Sequence, residues 1–127
     1  MPTAAETEPE VEEAVTPAAW LRQTQIELTD EQLARFTMEW DVIAERYAGD
    51  RGLREAARVG AAWYAAGLMT PQGIAGPLAG ARRAAEEMLA VARSVATMAV
   101  DDGEPEATVA RTVGVDRMAL RKWLGKR

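Results

Sequence analysis

Six cations crowd residues 107–127 of this chain: Arg111, Arg117, Arg121, Lys122, Lys126 and Arg127, against the single acid Asp116. Arginine and lysine are residue types suited to meeting nucleic acid. An arginine offers a planar fork that matches the acceptor pair of guanine, and a lysine offers a point charge for phosphate. The stretch is net +5, whereas the rest of the chain holds 9 basic and 19 acidic residues and is net −10, for −5 overall. A basic segment at one end of an acidic chain points to a nucleic-acid partner.

Other chemistries are poorly supplied. Cysteine and histidine are both absent, which excludes disulfides, thiolate or imidazole metal sites and His-based triads. Adjacent acids occur at Asp101–Asp102 and Glu86–Glu87, but with no base near in sequence they read as solvated surface. The glycines from 73 to 80 lack the Gly-Lys-Ser/Thr ending of a phosphate-binding loop. The expectation is no enzyme, no cofactor and no metal.

The cations need elements to aim them. Around them the sequence reads as two short helices joined by a tight turn. Ala110 is the small residue where a second helix can cross, and Gly114 supplies the turn. Val109, Val113, Val115, Leu120 and Trp123 supply the locking contacts, and Asp116 stands where an N-cap belongs. This leaves Arg117, Met118, Arg121 and Lys122 pointing away from the core on a helix at 116–124, with Thr108 and Arg111 on the preceding helix. A recognition helix presents its N-terminal residues to base edges. Arg117 and Arg121 suit guanine, while Lys122, Lys126 and Arg127 suit phosphate.

The run Val109-Ala110-Arg111-x-x-Gly114-Val115-x-Arg117-x-x-Leu120-x-x-Trp123-Leu124 resembles the homeodomain-like helix-turn-helix of resolvase/invertase recombinases, transposases and small bacterial regulators. The resemblance covers about 22 residues and implies a three-helix unit in which a helix at 81–100 comes first. It departs from the family in having Asp116 where Ser or Thr is common. With 127 residues, and three after Leu124, neither a recombinase catalytic domain nor a β-wing is expected.

The remaining elements are read from periodicity. Residues 1–17 carry Glu6, Glu8, Glu10, Glu12 and Glu13, three prolines and no cation, which predicts a disordered acidic tail, a solubilising arm or one open to a protein partner. Thr29 and Asp30 open a helix whose Leu33, Phe36, Trp40, Ile43 and Tyr47 form one stripe, stopped at Gly49. A second helix over 50–66 is read with Leu53, Ala56, Ala57, Gly60 and Trp63 on its packed face. Pro71, Gly73, Gly76, Pro77 and Gly80 mark a Gly/Pro hinge over 68–80. In the helix after it, Met88, Val91, Val95 and Met98 mark one face.

The expected fold is all-α: tail 1–17, helical hairpin 18–67, hinge 68–80, trihelical DNA-binding unit 81–127. No basic leader and no run of 18 apolar residues is present, so a cytoplasmic, nucleoid-associated protein without membrane contact is expected. The composition, rich in Ala, Arg, Val and Gly, suits a GC-rich bacterium, phage or plasmid. The expected partner is double-stranded DNA, bound by a homodimer for which the hairpin with Trp40, Tyr47 and Trp63 is the candidate contact, the alternative being that these aromatics form the core of the hairpin itself. The expected role is a transcriptional regulator. Two alternatives are an adaptor docking on a protein such as RNA polymerase, and an accessory factor in replication, partition or recombination.

Overall fold

The computed structural model describes residue 14 and residues 16–125. Lys126, Arg127 and nearly all of the expected acidic tail lie outside the described residues. Those described form six helices and no strand: α1 (Pro17–Thr24), α2 (Asp30–Arg46), α3 (Arg51–Ala65), α4 (Pro71–Asp101), α5 (Glu106–Val113) and α6 (Arg117–Trp123). The all-α expectation holds for them. The chain divides into two compact units between Pro71 and Gln72.

In the first unit α2 packs on both α1 and α3. The helix α1 was not expected, and its start corrects the end of the predicted tail. Thr16 caps it by accepting from the Ala19 amide at 3.1 Å, Pro17 occupies the first turn, and Ala14 is buried in the core. It ends with Gln25 in the left-handed region at φ 59°, and the Ile26 amide reaches back to the Leu21 carbonyl at 3.1 Å. A capping box opens α2 at Thr29 and Gln32. Its stripe delivers Phe36, Trp40 and Ile43 to the interior. Trp20 of α1 completes an aromatic triad, with ring centroids 5.5 Å from Phe36 and 6.2 Å from Trp40.

The packed face of α3 differs from the one expected. Its buried residues are Arg58 and Ala62, while Leu53 and Trp63 are exposed. The guanidinium of Arg58 lies 3.7 Å from the centroid of the Trp40 ring. Glu55 sits between two partners, accepting from Trp20 Nε1 at 2.9 Å and from Arg58 Nη1 at 2.7 Å. Trp40 is therefore consumed by the core of its own unit, which removes it from the expected dimer contact.

The boundary between the two units falls inside the segment 68–80 expected as a Gly/Pro hinge, but residues 71–80 of that segment are helical. Pro71 takes the first position of α4, where its missing amide has no intrahelical partner to lose. Pro77 falls in the second turn and forfeits a single ladder bond. Only the far end of this 31-residue helix is packed: Ala96 is fully buried, with Ala99 and Val100 beside it.

Candidate nucleic-acid interface

The C-terminal end of α4 shares a core with α5 and α6, made by Ala96, Val109, Ala110 and Leu120. Partly buried Val113, Val115, Trp123 and Leu124 surround it. Ala96 and Ala110 are both buried in it, and Leu120, with no exposed surface, fills the centre. The connection between α4 and α5 turns at Gly103, and Pro105 precedes α5.

Between α5 and α6 only Gly114, Val115 and Asp116 intervene. Gly114 has φ 87°, a conformation that an L side chain adopts at a cost. The Val115 amide donates to the Ala110 carbonyl at 3.0 Å, closing the end of α5 while tucking Val115 against the core. Asp116 caps α6 by accepting from the Met118 amide at 3.3 Å. An acid in this position is a structural cap facing the helix N-terminus.

The site residues named from sequence separate into three groups. Thr108 and Arg111 are exposed on α5, three residues apart and so on one stripe, and Arg117, Met118 and Lys122 are exposed on α6. Arg121 is different. Its Nη1 lies 3.2 Å from Glu106 Oε2, with the arginine 31% and the glutamate 16% exposed. This pair ties α6 to the first turn of α5, so Arg121 does not stand free for a base as expected. Lys126 and Arg127 lie outside the described residues.

Glu106 is the residue that sequence reasoning missed. It stands one place before the basic stretch and fifteen places before its partner. An acid in the first turn of the helix preceding a basic one was the available signal. Counted from Glu106 to the last described residue, the segment has four cations, Arg111, Arg117, Arg121 and Lys122, and two acids, a net charge of +2.

Neither the family models, nor the curated proteins, nor the solved structures gave a match.

Elsewhere the described residues offer little competing chemistry. No group of three or more Asp or Glu side chains converges to hold a metal ion, and no helix is long and apolar enough to cross a membrane. A shallow depression of about 290 Å³ on the first unit is lined by Arg35, Phe36, Glu39, Ala61, Tyr64 and Ala65.

Proposed function

We propose that α5, the Gly114 turn and α6 act as a helix-turn-helix that binds duplex DNA, in a small regulator of bacterial, phage or plasmid origin. The observation that carries this reading is the division of α6 into two faces. Leu120 is buried against α4 and α5, while Arg117, Met118 and Lys122 are exposed. Arg117, in the first turn, is the base reader; its bidentate contact to guanine would discriminate by about 1–3 kcal/mol. Lys122, five residues on, and Arg111 and Thr108 on α5 suit phosphate oxygens. Lys126 and Arg127 extend the same basic chemistry past α6.

The test is anisotropy of labelled random and genomic duplexes at several salt concentrations, with an Arg117→Ala/Lys122→Ala variant alongside. The reading expects affinity that falls steeply with salt and, in the variant, a salt slope reduced by about 1 for the phosphate contact of Lys122. Absence of duplex binding at low salt would sink it.

One observation favours an adaptor reading instead. Met118 exposes 57% of its surface on α6, and the Glu106 pair lowers the net charge around it. An apolar centre with a polar rim suits a protein partner. Under that reading Met118→Ala weakens partner binding, and DNA binding is absent.

A further inference from the structure

The helix α4 exposes an apolar face that nothing in its own unit covers. Ile74, Leu78, Ala81 and Ala85 follow one another in steps of four and three, and Met88, Ala92 and Val95 continue the alternation up to Ala99, which turns into the core shared with α5 and α6. This is a heptad seam sustained for more than three repeats, the period at which one helix packs along another. Leu89, Val91 and Met98 flank it. The polar residues take the opposite side, where Arg83 pairs with Glu86 at 3.4 Å and with Glu87 at 3.3 Å.

The exposed area is that of an interface. Ile74 and Leu78 are 47% and 46% exposed, Leu89, Val91 and Val95 between 53% and 57%, Met88 and Met98 65% and 64%. Together these seven offer on the order of 700 Å², close to the ~800 Å² that each partner contributes to a stable interface and above the patch a monomer ordinarily shows. Charge offers no obstacle to self-pairing, since Arg82 is the only ion bordering the seam.

We propose that the seam pairs with the same seam of a second copy, antiparallel, with the two-fold axis at Ala85. Side-chain volume decides the direction. Antiparallel pairing about Ala85 sets Ile74 against Val95, Leu78 against Ala92 and Ala81 against Met88, so that beyond the Ala85 layer no layer is empty. Parallel pairing stacks like on like, leaving two consecutive thin layers at Ala81 and Ala85 beside crowded ones at Ile74 and Leu78. Cores fill best when large residues face small ones. Arg82 then lies along Leu89 of the second copy, its aliphatic stem on apolar surface and its head in water.

The arrangement has a consequence that rests on the DNA reading, although the pairing itself does not. Ala96, where α5 and α6 pack, is eleven residues from the axis. At 1.5 Å per residue the two Ala96 positions are about 33 Å apart along the helices, close to the ~34 Å between half-sites one DNA turn apart.

The chain has no cysteine, so single cysteines make clean probes. Under mild oxidation, without DNA, Ala85→Cys should form a covalent dimer. Leu78→Cys and Ala92→Cys should cross-link when mixed, and neither should cross-link by itself. Sedimentation should show a dimer at micromolar concentration that Met88→Glu converts to monomer with its helical circular dichroism unchanged. A monomeric wild-type chain at 100-fold higher concentration than that, or a dimer unaffected by Met88→Glu, would overturn the proposal. Self-cross-linking of Leu78→Cys would overturn the antiparallel direction. None of these results depends on whether the chain binds DNA.

Discussion

Arg121 Nη1 of α6 and Glu106 Oε2 of α5 stand 3.2 Å apart, joining the last helix to the helix before it. The pair competes with any phosphate or base for the same guanidinium. Glu106→Gln removes one acid and with it this ion pair. Duplex affinity should rise two- to tenfold at low salt, with a salt slope steeper by about 1. The melting temperature should fall slightly, because a partly exposed pair contributes about 1 kcal/mol or less. If affinity falls instead, the pair is holding α6 in its reading orientation, and Arg121 is a positioning residue.

Arg117 and Lys122 are exposed, so their removal should separate binding from stability. Arg117→Ala should reduce preference among sequences as well as affinity. Lys122→Ala should weaken all duplexes alike. Neither should shift thermal unfolding by more than about 0.5 kcal/mol. Anisotropy against a panel of duplexes and a thermal melt check both expectations.

Arg58 is 4% exposed, stacked on Trp40 and paired with Glu55. Arg58→Ala leaves a cavity beside the ring and takes from Glu55 its cationic partner. The cost should be about 2–4 kcal/mol. Arg58→Lys should recover less than half of it, because an ammonium cannot lie flat on the indole while reaching the carboxylate. Trp20, Trp40 and Trp63 are in the first unit and Trp123 is in the second. Urea unfolding of a Trp123→Phe background therefore reports the first unit alone.

Two glycine substitutions should have opposite signs. Gly114→Ala forces a side chain onto φ 87° and should cost about 1–2 kcal/mol, although a Cβ there meets no atom within 4 Å. Asn at the same position should cost less. Gly60 lies inside α3 at an ordinary helical φ with equally open space. Gly60→Ala should stabilise by about 0.5–1 kcal/mol. Chemical denaturation of the three variants measures all of this.

Local signals in the sequence determined much of the chain. Thr29 and Gln32 form a capping box and the α2 stripe alternates by three and four, so the start of that helix and its buried face follow from residues within one or two turns. The turn between α5 and α6 is equally local, with Ala110, Gly114 and the Asp116 cap where the spacing put them. Tertiary structure decided the rest. Arg58 enters the core because Trp40 and Glu55 accept its charge, and one of them is on another helix, so a hydrophobic stripe read along α3 chose the exposed Trp63 instead. Pro77 remains inside α4 because the cost of one missing ladder bond is set against a helix of 31 residues, a balance that composition alone reads as a loop. The role of Arg121 changed for the same reason. A side chain's charge is written in the sequence, but whether that charge is already answered by Glu106 depends on how two helices cross.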